Sequence, residues 1–284
     1  MIFWFENENS NCRKRRGIFY VCLEQLTLNE EVAPSCGYQP GKQMKFKTIG
    51  ILGGMGPEAS ANLYQRIIKY AQIKYGAVQD DDYPPIIIYS LPLDGFDEKG
   101  INNLPLVKEQ LVNAVKRLEL AGSELIVIAC NTVHHFYSAM QDAVTIPILN
   151  IVEKSLSEVK KESYKKIGLF SSQSTVELKL YQLAFEKSGI KVILPNKNQQ
   201  EKINMVIKKV MGGHQGIHEV IMLKEIAFDF VQQGAQAIVM GCTEIPLALN
   251  QTHTDIKLFD TIEIIVEAAV DFSRKNELII NTQK

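Results

Sequence analysis

Two cysteines stand where apolar runs give way to polar residues. In IVIACNTVHHF (126–136), Ile126 to Ala129 lead into Cys130, then Asn131 and Thr132; AIVMGCTEIPL (237–247) repeats the plan around Cys242, Thr243 and Glu244. A thiolate is both a base and a nucleophile, and a helix N-terminus lowers a thiol's pKa. The pattern places a helix start near His134 or His135 after Cys130, and a short helix over 245–249 after Cys242. Asn131, Thr132 and Thr243 offer amide, hydroxyl and backbone N–H donors suited to a carboxylate. A free cysteine is often only a small buried apolar residue. That explanation suits one cysteine better than two at matched positions, each followed by polar groups. Cys130 and His134 also have i, i+4 spacing, with His135 adjacent. A zinc site needs a third and a fourth ligand, and no second Cys or His pair stands near Cys242, so no metal is expected. His134 and His135 read as supporting or packing residues, and His214, His218 and His253 carry no assignment.

The elements that must position these thiols are short Ile- and Val-rich runs at 48–52, 86–91, 125–129, 146–149, 167–170, 191–194, 237–241 and 256–259. Continuous apolarity suits strands covered on both faces. Between them lie amphipathic periods, one opening at Pro57 with Leu63, Ile67 and Ala71 on a single face, another near Pro105 with Val107, Leu111, Ala114 and Leu118. Alternation of this kind implies an α/β fold of mostly parallel sheets flanked by helices. The chain also repeats itself: TIGILGG (48–54) resembles KIGLFSS (166–172), and AGSELIVIAC (121–130) resembles QGAQAIVMGC (233–242). The expectation is two similar lobes related by a pseudo-twofold axis, lobe 1 over 44–150 plus a C-terminal helix at 260–284, lobe 2 over 151–259. Ligands of open parallel sheets bind beyond the carboxyl ends of strands, where both cysteines sit, so the site is expected between the lobes.

A Gly-rich turn follows the first strand of the first repeat, and a Ser-rich turn stands in its place in the second. GGMGPEAS (53–60) contains Met55, and its backbone N–H groups could hold a small carboxylate. It lacks the Lys and Ser/Thr of a nucleotide-binding loop and the dinucleotide fingerprint. LFSSQST (169–175) is its counterpart, with Ser172 and Thr175 as candidate donors. The 284 residues suffice for a large core, and a net charge of −1 gives no footprint for nucleic acid. No apolar run approaches the ~20 residues of a membrane helix. Five widely and irregularly spaced cysteines do not form a disulfide framework, which fits a reduced, cytoplasmic setting. Residues 1–43 have no sustained period, carry a basic cluster at Arg13 to Arg16, and read as a poorly ordered extension dispensable for folding. GIFYVCL is short for a signal segment, and Glu24 interrupts it.

IGILGGMGPEAS, ACNTVH and GCTEIP, in this order, resemble the cofactor-independent aspartate/glutamate racemase family, most closely its aspartate racemase branch, from about Met44 to the C-terminus. The resemblance implies two similar α/β lobes, a small-molecule amino-acid substrate, no cofactor and a homodimer. It implies that Cys130 and Cys242 are the paired acid and base, with Met55, Asn131, Thr132, Thr175, Thr243 and Glu244 at the substrate. Interconversion of L- and D-aspartate is the expected activity. The alternatives are a racemase of broad or neutral specificity, or a one-cysteine decarboxylase or isomerase. A non-catalytic binding module would be free to lose the cysteine motifs. Where the glutamate racemase branch has His after its second GCT, this chain has Glu244. Met211 stands where a basic residue is expected, leaving Lys99 and Lys209 as the nearest candidates to hold an acidic side chain.

Overall fold

The computed structural model describes residues 46–97, 100–214 and 216–274. The extension assigned to 1–43, Lys99, and positions 275–284 of the expected C-terminal helix lie outside the described residues. The first half runs β1 (Ile49–Gly53), α1 (Pro57–Tyr75), β2 (Ile86–Ser90), the short pair β3 (Phe96–Asp97) and β4 (Gly100–Ile101), α2 (Leu104–Leu120), β5 (Leu125–Ile128), α3 (Tyr137–Gln141) and α4 (Ile151–Lys161). The second runs β6 (Lys166–Ser171), α5 (Gln173–Glu177), α6 (Leu180–Glu186), β7 (Lys191–Ile193), α7 (Lys197–Met211), α8 (Ile217–Gln232), β8 (Ala237–Gly241), α9 (Ile245–Ala248), β9 (Lys257–Asp260) and α10 (Thr261–Arg274).

The two sheets share one plan. The first has the order β2-β1-β5, all parallel, and the second β7-β6-β8-β9, all parallel. The run at 146–149 occupies the place that β9 fills in the second sheet, but makes only a single parallel bridge, Ile126 to Ile148. Pro147 has no N–H for a ladder. Ile148 N donates instead to Gln141 Oε1 (2.8 Å), and Ile146 N to Glu119 Oε1 (3.3 Å). The fold is therefore two similar α/β lobes, with the repeat visible in the strand order itself. The antiparallel pair β3–β4, with Phe96 opposite Ile101 and Asp97 opposite Gly100, has no counterpart in the expected elements.

Helices bury the faces their periods dictate. Helix α2 buries Val107, Leu111, Ala114, Val115 and Leu118 against Ile126 and Ile128 on one face of the first sheet. The other face, with Ile49, Ile51 and Val127, belongs to a core continuous with Ile167, Leu169 and Val239 of the second sheet. Helix α10 carries this core through Ile262, Ile265, Val266 and Ala269, and packs against both α1 and α4. Each fully buried side chain of this size contributes about 1.5–3 kcal/mol. Shared side chains of this kind make the two lobes one folding unit rather than tethered halves. Arg66 of α1 adds ion pairs to Asp260 (2.5 Å) and Glu263 (3.0 Å).

Candidate active site

Strand β5 delivers Cys130 into a 3₁₀ turn, Thr132–Phe136. The thiol is buried, and the backbone N–H groups of Val133 and Thr132 point at its sulfur. Burial, joined by the Glu244 carboxylate, pushes its pKa up to about 12 against the pull of those two donors. His134 supports the turn from behind. Ile151 N donates to its Nε2 (3.3 Å), which puts the proton on Nδ1, and Nδ1 donates to the Cys130 carbonyl (2.9 Å). Burial holds His134 near pKa 4, so the ring is a neutral strut between β5 and α4. Both ring nitrogens are occupied, and among the described residues no cluster of His, Cys, Asp and Glu suits a metal ion.

Asn131 is fixed from the second lobe. Tyr181, fully buried, donates to Asn131 Oδ1 (2.5 Å), and Asn131 Nδ2 donates to Thr261 Oγ1 (3.4 Å), whose hydroxyl donates to Met240 O (2.8 Å). Thr132 shares hydroxyl hydrogen bonds with Ser172 (3.1 Å) and Thr175 (2.9 Å). Ser172 caps α5 by accepting from Thr175 N (3.3 Å).

Cys242 follows β8. Its Sγ donates to Glu244 Oε2 (3.0 Å), and Thr243 Oγ1 donates to the same oxygen (2.9 Å). Glu244 is only 4% exposed, and the Gly56 N–H hydrogen-bonds its carboxylate. Burial raises both partners: Cys242 lies well above the usual thiol range, with the Glu244 charge adding to the rise, and Glu244 lies above the usual carboxylate range. The Gly-rich turn thus holds a carboxylate, and it is the chain's own. Gly54 in that turn has φ +98°, and a Cβ there would stand 2.3 Å from Leu91 O, so no larger residue fits. Its N–H is taken by Ser60 Oγ (2.9 Å).

Cys130 and Cys242 line one cavity of about 30 Å³, together with Met55, Asn131, Thr132, Thr243 and Glu244. Thr175 does not line it; fully buried, it reaches the cavity through Thr132 and Ser172. Ser172, a candidate donor from the sequence, lines it too; Phe96, Asp97 and Gly100 of β3–β4 and Ile207 and Met211 of α7 complete the wall, and of these five sequence reasoning had singled out only position 211. The two α7 residues are four apart on one helix face, a spacing legible in the sequence that did not say what it faced. Met211, at the position expected to be basic, is at the cavity. Lys209 is paired with Glu219 (2.6 Å) and is not part of the wall. A cavity of this size holds roughly two waters, less than an amino acid, so it must widen to admit one.

Two parallel α/β lobes with a thiol at the end of the equivalent strand in each define a class of protein. The profile of the Asp/Glu/hydantoin racemase family matches residues 52–269, and the chain belongs to that family. It is 29% identical over 222 residues to the broad specificity amino-acid racemase RacX of Bacillus subtilis (strain 168), covering 78% of this chain and 96% of that protein. The crystal structure of an aspartate racemase homologue from Pyrococcus horikoshii OT3 superposes with a TM-score of 0.68 at 29% identity, over 80% of this chain and 99% of that one. Glutamate racemase from Francisella tularensis, solved with D-glutamate, shares the fold at 18% identity and a TM-score of 0.60, over 84% and 85% of the two chains.

Proposed function

We propose that the protein is a cofactor-independent amino-acid racemase in which Cys130 and Cys242 work as acid and base on opposite faces of the substrate Cα. The observation that carries this reading is one cavity lined by both thiols, each at the tip of the equivalent strand of a repeated sheet. The Cα proton of an amino acid is weakly acidic, so donors fixed before reaction must stabilise the charge that develops at the carboxylate. The Cys130 turn, Thr132 and Thr243 supply such donors. One cysteine as thiolate removes the proton while the other as thiol delivers one, and the roles exchange with the substrate's hand.

The wall favours a neutral side chain. Met55, Phe96, Ile207 and Met211 are apolar, and the charged groups of the wall among the described residues are the carboxylates of Asp97 and Glu244. An acidic side chain would meet the buried Glu244 carboxylate there, at a cost of several kcal/mol if buried. Aspartate is the second reading, favoured by the 29% identity to an aspartate racemase homologue. A panel of L-amino acids in deuterated water, with chiral analysis, tests both. Alanine, methionine or homoserine should gain Cα deuterium and racemise faster than aspartate. Dominance of aspartate would overturn the neutral reading and leave the two-cysteine chemistry standing. Absence of Cα deuterium from every substrate would overturn the racemase reading itself.

A further inference from the structure

Helix α8 is apolar on two sides, and one of them is uncovered. Leu223, Ile226, Ala227 and Phe230 pack into the core of the second lobe with Phe170, Ile238 and Met240. On the opposite side Ile217, Ile221, Phe228 and Val231 recur at intervals of four, seven and three and stand exposed, Phe228 at 63% and Ile217 at 67%. Lys224 fills the gap between Ile221 and Phe228, so the five side chains form one strip down the helix. A helix apolar all round is normally buried on all sides. A contiguous exposed strip, unlike apolar residues scattered singly, marks a contact with another molecule. Helix α7 widens the strip. Its Lys202 and Lys209 reach Glu225 (3.4 Å) and Glu219 (2.6 Å) of α8, and Met205, between them on that flank, is half-exposed.

We propose that the strip is a self-association face, covered by a second copy of this chain with the two α8 helices antiparallel about a twofold axis. The charges on the face select this arrangement. Lys224 and Glu225, both exposed, are the two central residues of α8. A parallel pair about a twofold axis sets each residue against its own copy, Lys224 against the partner's Lys224. An antiparallel pair centred between the two residues sets Lys224 beside the partner's Glu225 and Ile221 opposite the partner's Phe228, each contact made twice. Ile217 then lies near the partner's Val231 at either end. The ion pair of Glu225 with Lys202 leaves the Glu225 side chain 60% exposed, free to take a second cation. Lipid fits the strip less well. Its charges are Lys224, Glu225 and Asp229, without the excess of Lys and Arg that draws a helix onto an anionic membrane. The helix is about 24 Å long, and a contact of that length falls short of the ~800 Å² per partner of a standard interface. The association is therefore reversible and depends on concentration.

Sedimentation of the full chain tests the proposal. At about 100 µM the wild type should run at an even multiple of the mass of one chain. Phe228→Glu, a change at an exposed position, should halve that mass. Lys224→Glu and Glu225→Lys should each weaken association about tenfold or more, because each sets like charges across the axis. An equimolar mixture of these two variants should associate again, since the mixed pair restores opposite charges at both contacts. A wild type that stays at the mass of one chain overturns the proposal. So does a Phe228→Glu variant that keeps the wild-type mass, or a mixture that associates no better than its components. A single-copy chain that binds phosphatidylglycerol vesicles, and loses them in Phe228→Glu, would assign the strip to lipid instead.

Discussion

The Cys130 and Cys242 ends of the cavity come from equivalent strands, yet they treat their thiols differently. Around Cys130 the partners are backbone: two N–H groups at the sulfur, a carbonyl held by neutral His134, and an asparagine held by Tyr181. Around Cys242 a single backbone N–H, that of Glu244, reaches the sulfur, and the side-chain partner is a buried carboxylate. Duplication of a scaffold therefore fixes where two reactive groups stand without fixing how each is tuned. The tuning comes from the residues one to five positions beyond the strand, where the two copies have diverged: NTVHH after Cys130, TEIPL after Cys242.

Removal of either thiol is the strongest way to break the comparison. Cys130→Ala and Cys242→Ala should each lower racemisation by about a thousandfold or more, within the range for a positioned acid or base. Each variant should still exchange the Cα proton of one enantiomer with solvent deuterium, and the two should prefer opposite enantiomers. Equal exchange of both enantiomers by a single variant would show that the cysteines do not face opposite sides.

The next two changes act on the Cys130 end alone. His134 has its pKa lowered by burial to about 4, from an ordinary 6.5. A depressed folded-state pKa means the unfolded chain takes up the proton first as pH falls. The stability that neutral His134 supports is complete above pH 6.5 and is lost progressively down to about pH 4, by about 3 kcal/mol. His134→Gln should be less stable at pH 7 but flatter over that window in urea titrations. An unaltered slope would mean that other groups set the acid limb. Tyr181→Phe leaves Asn131 Oδ1 buried without its donor, which should cost about 1–3 kcal/mol. It should also lower kcat more than it lowers Cys242 alkylation.

The smallest effect is expected at Thr175, which reaches the cavity through Thr132 and Ser172. Thr175→Val should cost about 1 kcal/mol of stability and raise KM by less than about threefold. A larger rise would mean that the hydroxyl touches substrate when the cavity opens.

Strand ends were legible in the sequence because an apolar run followed by polar residues is a local signal, and its repetition marked the same point in both lobes. The 3₁₀ geometry after Cys130 departs from the expected helix start at 134–135, and it turns the Thr132 and Val133 N–H groups toward the Cys130 sulfur. The β3–β4 pair was hidden because two strands of two residues carry no alternation to read. The strand expected at 146–149 shrank to a bridge because Pro147, a single residue, removed a ladder donor. The Tyr181–Asn131 and Gly56–Glu244 contacts join distant parts of the chain, and no local pattern announces them. Met211 gave a partial signal: its place was noticed for lacking a charge, and it does line the wall.

The one-sided carboxylate has a consequence that lies in equilibrium rather than in rate. Mirror-image amino acids have equal free energies, so their equilibrium constant is one whatever the catalyst. For a racemase, the ratio kcat/KM must then be the same for both enantiomers, however unlike the two thiols are. The asymmetry between the ends is thus confined to the separate constants: the hand that binds more weakly must turn over faster in the same proportion. An enzyme of this design can hold one enantiomer longer than the other. It can be inhibited by one more readily than by the other, while still bringing both to a one-to-one mixture.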